Sequence, residues 1–178
     1  TRFIKEGADM VIYSGGKGIR GPQGTGVLCG RSDLIEAAYA NASPHQFIGR
    51  GLKVAKEEII GLSKALEIFL SEDEEEENKR YQQMCDQVVD ALIEIPGVGL
   101  QTKFDPYDYL IPTALITFDP DRNGLSRDQV WEQMVAGDPS IYLSNLGTPD
   151  ELAVDPFNIA DSELEMVIDR LRELLVQN

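Results

Sequence analysis

The order of apolar and polar residues divides the start of the chain into short strand-like runs and a helix. Two β-type runs occupy residues 9–13 and 25–29, and a glycine-rich segment separates them. A helix is predicted from Ser32 to a point before Pro44, because a residue that precedes proline disfavours the helical conformation. We expect the first run to be a parallel strand with no element before it, so that its sheet neighbours lie upstream of this chain.

Two longer helices follow, and each has apolar residues at steps of three and four. The apolar face of the first helix comprises Leu52, Ala55, Ile59, Leu62, Leu66 and Phe69. That of the second comprises Tyr81, Met84, Val88, Leu92 and Ile95. The acidic run SEDEEEENKRY lies between them, and its composition predicts a solvated helix face or a bend rather than a metal or partner site.

The pattern changes after the sequence IPGVG, which ends the second long helix. Strands are predicted in VGLQTKF, YLIPTALITFD and ELAVDPFNI, with a helix from about Ser126 and a last helix from about Asp161. Ser126 with Gln129, and Ser162 with Glu165, have the spacing of capping boxes, in which the side chains satisfy free backbone N–H groups of the first turn.

Together these elements predict an α/β plus α+β fold in three parts. Residues 1–50 are expected to be the end of a large α/β domain that is truncated at its N-terminus, and residues 51–96 to be long connecting helices. Residues 97–178 are expected to form a small C-terminal α+β domain. A length of 178 residues is enough for one large domain, or for a small domain joined to part of another.

Composition narrows the classes of function. The net charge is −15 with a pI near 4.4, which disfavours nucleic acid and anionic membrane surfaces as partners. The chain has neither an apolar run long enough to cross a bilayer nor a signal-peptide pattern, so we expect a soluble, cytoplasmic protein. Cys29 and Cys85 are far apart and only one histidine is present, so no metal site is expected.

The candidate chemistry lies in the glycine-rich segment SGGKGIRGPQG, which spans residues 14–24. Gly16, Gly18 and Gly21 fit the dinucleotide spacing G-x-G-x-x-G, but the segment runs into a second strand instead of opening a helix. A Walker-type phosphate loop does not fit, because Ile12 stands where that loop needs glycine and Gly18 where it needs serine or threonine.

Lys17 is the remaining feature of this segment. A lysine at a strand end, between glycines that let a planar ligand approach the backbone, suits imine formation with a carbonyl cofactor. Because a free lysine amine is protonated at neutral pH, such a site needs desolvation or neighbouring cations, for which Arg20, Arg50 and Lys53 are available. The residues alone fit equally well a solvated lysine in an exposed turn.

A resemblance to a known family favours the cofactor interpretation. The segments GADMVIYSGGKGIRGPQGTGVLCGR, DLIEAA and NASPHQFIGRGLKVAKEEIIGLSKALE resemble the pyridoxal-phosphate enzymes of fold type I. In particular they resemble the selenocysteine synthase-like, aminotransferase class V-like group that includes the glucosaminate-phosphate ammonia lyases. The resemblance is dense over residues 7–67 and includes the block S-G-G-K-x-I-x-G-P-Q, whereas beyond residue 97 only the architecture is similar. It implies the C-terminal part of a fold type I transferase.

The resemblance also implies roles for individual residues. Lys17 is implied as the Schiff-base lysine for pyridoxal 5′-phosphate and as the base that moves the substrate's α proton. Ser14, Arg20 and Gln23 are implied as further cofactor-binding residues, and Arg50 as a substrate-binding residue. The groups that pair with the pyridine nitrogen and hold most of the phosphate are expected upstream, so we expect the chain on its own to be inactive.

The implied reaction is β-elimination or replacement on an amino acid or a phosphorylated amino-acid derivative. It would be carried out by a lyase or transferase that works as a homodimer or a higher homo-oligomer. The alternative is a non-catalytic homologue of the same fold that serves in oligomer assembly. Arg50 has its own alternative, a salt bridge to Glu57 or Glu58, and the family commonly has proline where Gly51 follows it here, which loosens the turn that aims Arg50.

Three other residues have competing interpretations. His45, in the sequence SPHQF, is compatible with contact to substrate or to a neighbouring subunit, and also with a surface or capping role. Cys29 is predicted to be a small buried hydrophobic residue rather than a nucleophile. Trp131 is predicted to serve packing rather than to form a cofactor platform.

Overall fold

A computed structural model describes residues 2–105, 107–145 and 147–177 of the chain. The chain divides into two compact units, Thr1–Glu72 (unit 1) and Asp73–Asn178 (unit 2). The three-part domain division given above stays a prediction. No helix in the described ranges is both long enough and apolar enough to span a membrane.

Among the residues that the structure describes, unit 1 contains a two-stranded sheet and three helices. In chain order its elements are α1 (Arg2–Lys5), β1 (Met10–Ser14), β2 (Gly26–Gly30), α2 (Ser32–Asn41) and α3 (Lys56–Phe69). The two strands and α2 lie within a residue or two of their predicted positions, but α1 was not predicted. The strands are antiparallel, with Tyr13 opposite Val27. The glycine-rich loop turns the chain straight back along β1, so these two strands run in opposite directions. The parallel neighbours expected for β1 would lie upstream of this chain, and they stay a prediction.

Helix α3 begins later than the hydrophobic period predicts. Ala55 is its N-cap residue with an extended backbone, and the Ala55 N–H donates to Glu58 Oε2 at 3.2 Å. Leu52 and Ala55 therefore lie outside the helix, because the glycine-containing turns at residues 49–52 precede it. None of the residues of α3 is fully buried.

Unit 2 packs helices against a three-stranded antiparallel sheet. Its elements are α4 (Glu74–Leu92), β3 (Val98–Lys103), β4 (Thr113–Phe118), α5 (Arg127–Ala136), β5 (Glu151–Val154), a 3-10 turn (Pro156–Asn158) and α6 (Asp161–Leu175). The strand order is β3–β4–β5. The three predicted strands and the two predicted helices are confirmed, and the strands are shorter than the apolar runs that predicted them.

The core of unit 2 includes α4, the helix predicted as a connection. The apolar period of that helix is buried as predicted from Tyr81 to Leu92, and Ile95, which was predicted as part of the helix, is buried just after its end. It packs with β4 and α6, and Leu92, Ile116 and Leu171 have no exposed surface. Trp131 lies partly buried against this core and donates its indole N–H to Leu143 O at 3.0 Å, so its predicted packing role is confirmed.

The acidic run contains the interruption after α3 and the start of α4. Helix α3 ends at Phe69, and Asp73 is the N-cap of α4. The Asp73 carboxylate accepts hydrogen bonds from the N–H groups of Glu75 and Glu76 at 3.0 and 3.2 Å. The acidic side chains of the first turn lie at the positive end of the helix dipole, which stabilises them there. The predicted solvated helix face is confirmed, and the helix is interrupted at the position where a bend was the alternative.

One of the two predicted capping boxes forms. At α5 the Gln129 N–H donates to Ser126 Oγ at 3.3 Å, and the Ser126 N–H donates to Gln129 Oε1 at 2.9 Å. The box predicted at Ser162 is wrong, because α6 begins earlier, with Ala160 as its N-cap residue. There the Ala160 N–H donates to Glu163 Oε2 at 2.9 Å, and Ser162 lies inside the first turn.

The predicted burial of Cys29 is also wrong. Cys29 lies in β2 opposite Val11, and its side chain is exposed. Strand β2 pairs with β1 alone among the described strands, so the two-stranded sheet is too small to enclose its own faces. The other cysteine, Cys85, is buried in the core of unit 2.

Candidate functional site

Lys17 lies in a tightly bonded loop directly after β1. The Arg20 N–H donates to Lys17 O at 2.7 Å, and the Gly21 N–H donates to Gly15 O at 2.7 Å. Arg20 adopts a left-handed backbone conformation with φ 58°, which is uncommon for a residue other than glycine. We refer to residues 15–25 as the lysine loop.

Hydrogen bonds from the backbone and from two side chains, Thr25 and Gln23, hold the two ends of the lysine loop together. We call this part of the loop its base. The Gly15 N–H donates to Thr25 O at 2.9 Å, and Thr25 Oγ1 donates to Pro22 O at 2.6 Å. Gln23 Nε2 donates to Gly16 O at 2.9 Å. The Gln23 amide, implied by the resemblance as a cofactor ligand, therefore bonds to the backbone of the loop itself.

Helix α3 supports the lysine loop through one stripe of its surface. The stripe comprises residues at helical spacings of three and four, namely Glu58, Gly61, Leu62 and Ala65. A methyl group placed on Gly21 would lie 3.1 Å from Leu62 Cδ1, and one placed on Gly24 would lie 2.7 Å from Glu58 Oε1. A methyl group on Gly61 would lie 2.9 Å from Pro22 Cγ, so the loop and the helix are in close contact. We call these four residues the support stripe.

The tip of the lysine loop is packed more loosely than its base. A methyl group on Gly18 would meet no atom within 4 Å. A cavity of about 340 Å³ lies between the tip and the later turns of α3, lined by residues that include Gly18, Arg20 and Phe69. Lys17 is exposed, and its amine forms no ion pair or hydrogen bond with any residue that the structure describes. Space and an uncommitted amine therefore occur together at the tip.

Arg50 lies on a separate turn that follows α2. Its Nη1 donates to Ser43 Oγ at 3.4 Å, and its Nε is buried without a hydrogen-bond partner. Over the ranges that the structure covers, no carboxylate pairs with Arg50, so the alternative salt bridge to Glu57 or Glu58 does not form. A half-buried guanidinium with an unused donor suits an anionic ligand.

The other candidate residues lie at different places around the loop. Ser14 is the exposed last residue of β1, directly before the lysine loop, so it shares the loop's entry with Lys17. His45 has its Nδ1 at 3.0 Å from Tyr39 O, and its ring lies edge-on to the Tyr39 ring at 4.9 Å between centroids. His45 thus packs on the end of α2, as its capping interpretation predicts.

The sequence analysis missed Thr25 and, except for Leu62, the support stripe. Thr25 was included in the second strand run, although a threonine between two glycines is also typical of a turn that bonds to its own backbone. The signal for the stripe was Gly61, since a glycine inside a helix often marks a close approach of another backbone. The apolar period pointed instead to a face that includes Ile59, which is 55% exposed.

Comparison with known proteins places the chain among characterised relatives. Residues 1–97 match the L-seryl-tRNA selenium transferase (SelA) family. The chain is 36% identical over 178 residues to the 5′-C-glycyluridine monooxygenase-decarboxylase of a Streptomyces species, covering 99% of this chain and 44% of that protein. It is 29% identical to the D-glucosaminate-6-phosphate ammonia lyase of Salmonella typhimurium, covering 97% of this chain and 45% of the lyase. It is 24% identical to the L-seryl-tRNA(Sec) selenium transferase of Solidesulfovibrio magneticus, covering 92% of this chain and 38% of the transferase.

The fold agrees with these sequence matches. A solved structure of D-glucosaminate-6-phosphate ammonia-lyase superposes with a TM-score of 0.70 at 29% identity, covering 97% of this chain and 45% of that one. The predicted fold class, α/β plus α+β from the C-terminal part of a fold type I pyridoxal-phosphate enzyme, is confirmed, as is the resemblance to the selenocysteine synthase-like group. The chain spans less than half the length of the relatives named here. It belongs to the L-seryl-tRNA selenium transferase (SelA) family.

Proposed function

We propose that Lys17 is the Schiff-base lysine of a pyridoxal-phosphate-dependent lyase or transferase. The whole protein would act on an amino acid or a phosphorylated amino-acid derivative by β-elimination or replacement. The observation that carries this proposal is the uncommitted Lys17 amine at the tip of a loop whose base is tightly bonded. Family membership and the enzymatic names of the relatives support it.

The described residues fit pyridoxal phosphate in charge and in shape. The glycine at position 18 leaves room for a flat ring beside Lys17. The Ser14 hydroxyl at the loop entry and the Arg50 guanidinium are groups that bind phosphate or carboxylate. Residues outside this chain would supply the remaining contacts, including the partner of the ring nitrogen.

Each residue then has a chemical task. When bound, pyridoxal phosphate supplies an electron sink for the negative charge that develops at the substrate's α carbon. Lys17 would anchor the cofactor, and its amine would move the substrate's α proton. Arg20, three residues further along the lysine loop, would be a further cofactor-binding residue. Gln23 keeps the loop in shape through Gly16.

The proposal includes association of the whole protein as a homodimer or higher homo-oligomer in the cytoplasm. Unit 1 supports association, because Ile48 and Leu52 are 93% and 87% exposed. Large exposed apolar patches mark contact surfaces in soluble proteins.

The test is reduction of the full-length protein with borohydride in the presence of pyridoxal phosphate, followed by peptide mapping. We expect the cofactor mass on Lys17 in the wild type and in Lys53→Ala, which removes another exposed lysine of unit 1, and no label in Lys17→Ala. Label on Lys53 or Lys56 would refute the assignment of Lys17. A folded wild-type protein that takes no label would instead favour the non-catalytic homologue.

A further inference from the structure

We propose that Thr25 is a positioning residue for Lys17, because its hydroxyl holds the lysine loop in the shape that presents the amine. This inference rests on the proposed function of Lys17. It assigns to Thr25 no contact with cofactor or substrate. Its action is on the loop that carries the lysine.

Burial singles out Thr25 within unit 1. Thr25 is 8% exposed, and Gly15 and Thr25 are the two buried residues among those that the structure describes in Thr1–Glu72. These two residues are in direct contact, and Gly15 is two positions before Lys17. The best-protected point of unit 1 is therefore the base of the lysine loop.

Thr25 bonds to both ends of the loop. Its backbone carbonyl accepts from the Gly15 N–H at 2.9 Å. Its own N–H and its Oγ1 both donate to Pro22 O, at 3.1 and 2.6 Å. Gly15 N and Pro22 O are thus tied to one residue, and they flank the segment that contains Lys17.

The close fit between Gly15 and Thr25 leaves no room for a group larger than the Thr25 hydroxyl. A methyl group on Gly15 would collide with Thr25 Oγ1 and would lie 2.9 Å from Leu62 Cδ1, so Gly15 is held between Thr25 and the support stripe. Replacing Oγ1 by a methyl group would remove a donor to Pro22 O and would put a larger group against Gly15. Both changes would move the backbone of Gly15 and so the position of Lys17.

A small displacement matters more for chemistry at Lys17 than for the fold. A misplacement of about 1 Å in a reacting group can cost about 100-fold in rate. The fold of unit 2 does not depend on the lysine loop, since its core consists of its own residues. Loss of the hydroxyl is therefore expected to slow reactions of Lys17 in a protein that stays folded.

The experiment compares Thr25→Val, Thr25→Ser and Thr113→Val in the full-length protein. Thr113 is the matched control, because it is 6% exposed and its Oγ1 donates to Ile111 O at 3.1 Å in unit 2. Two quantities are measured: the rate at which borohydride traps pyridoxal phosphate on Lys17, and hydrogen exchange of the Gly15 and Gly21 amides without cofactor. Hydrogen exchange can be measured in a protein that has no catalytic activity.

We expect Thr25→Val to lower the trapping rate at least about tenfold and to speed exchange of both amides. Thr25→Ser, which keeps the hydroxyl, should restore both quantities, and Thr113→Val should leave both unchanged. If a folded Thr25→Val protein has the same trapping rate and the same amide exchange as the wild type, the positioning role of Thr25 is overturned. The proposed function of Lys17 would be unaffected by that result. If Thr25→Val does not fold, slow trapping in a folded Thr25→Ser protein would overturn it. Absence of label on Lys17 in the wild type would overturn the proposed function and the positioning role together.

Discussion

Ser43 Oγ lies 3.4 Å from Arg50 Nη1, and no carboxylate in the described ranges comes within ion-pair distance of that guanidinium. Arg50 is half-buried and its Nε has no partner, so the side chain has given up much of its hydration without gaining a counter-charge. Such an arrangement is costly unless an anion completes it. An anion at this position would supply the missing counter-charge, as the proposed role of Arg50 requires.

We expect Arg50→Lys in the full-length protein to raise the KM for substrate or to weaken cofactor retention about tenfold, because lysine cannot form the bidentate pair that arginine makes with an anion. Arg31→Lys is the control. Arg31 is exposed and pairs with Asp9 and Asp33, and exposed pairs contribute little, so this variant should behave as wild type. Steady-state kinetics and cofactor content after dialysis measure both effects, and no change in either would remove Arg50 from the site.

The 178-residue chain on its own should bind pyridoxal phosphate weakly and show no useful activity. Unit 1 has little core of its own and leaves apolar side chains such as Ile12 (77% exposed) in water. Hydrogen exchange should therefore be fast in residues 9–30 and slow in β4 and α6. Equilibrium dialysis measures the affinity. Tight binding combined with strong protection of residues 9–30 would show that this chain needs nothing further for its site.

The caps of α5 and α6 give a stability test. Ser126→Ala should cost about 1 kcal/mol, because it removes an acceptor for the free Gln129 N–H. Ala160→Ser should stabilise by about 0.5–1 kcal/mol, because the N-cap of α6 has no side-chain acceptor at present. Ser162→Ala, the control, should change the free energy of unfolding by less than about 0.5 kcal/mol. Urea titrations measure all three, and a large loss in Ser162→Ala would restore the capping role that the structure denies it.

Leu171→Ala should destabilise unit 2 by about 3 kcal/mol, because Leu171 has no exposed surface and its loss leaves a cavity between α4, α6 and the sheet. Met166→Ala, on the same helix but 42% exposed, should cost less than half as much. Urea-induced unfolding followed by far-ultraviolet circular dichroism compares the two. Equal losses would mean that the outer side of α6 is covered in solution.

Burial raises the pKa of the Cys85 thiol to about 12, with a smaller contribution from Asp86. An unfolded cysteine ionises near pH 8.5, so the unfolded state loses its proton first. The contribution of Cys85 to stability is therefore complete below about pH 8.5 and declines as pH rises toward 12. The free energy of unfolding should fall less steeply with pH above 9 in Cys85→Ala than in the wild type.

In the native chain, iodoacetamide at pH 8 should label the exposed Cys29 and leave Cys85 unlabelled.

The fold was predictable where local signals and burial agree. The apolar period from Tyr81 to Ile95 was correct because those residues face a real core in unit 2. The prediction of a buried apolar face that begins at Leu52 was wrong, because α3 packs against little core. Its main contact, with the lysine loop, is determined by glycines rather than by apolar side chains. Glu163 competes with Glu165 as a capping partner, and sequence spacing alone does not decide between them.

The candidate site was predictable only as a set of residue types. The sequence pointed to Lys17, but it could not reveal that Thr25 lies under Gly15 or that Gln23 bonds to Gly16, since these contacts depend on the three-dimensional path of the loop. Nor could it show that Arg50 prefers Ser43 to the nearby glutamates. Distances across a turn decide such pairings, and spacing along a chain does not encode them.

The glycines of the lysine loop fall under two different kinds of selection. Gly15 and Gly21 have no room for a side chain, so substitutions there should lower the amount of protein that accumulates in a cell. Gly18 has that room, so substitutions there should leave abundance unchanged while obstructing whatever approaches Lys17. A survey of variants that scores abundance and catalysis separately would thus divide one short loop into positions that maintain its shape and a position that keeps it accessible.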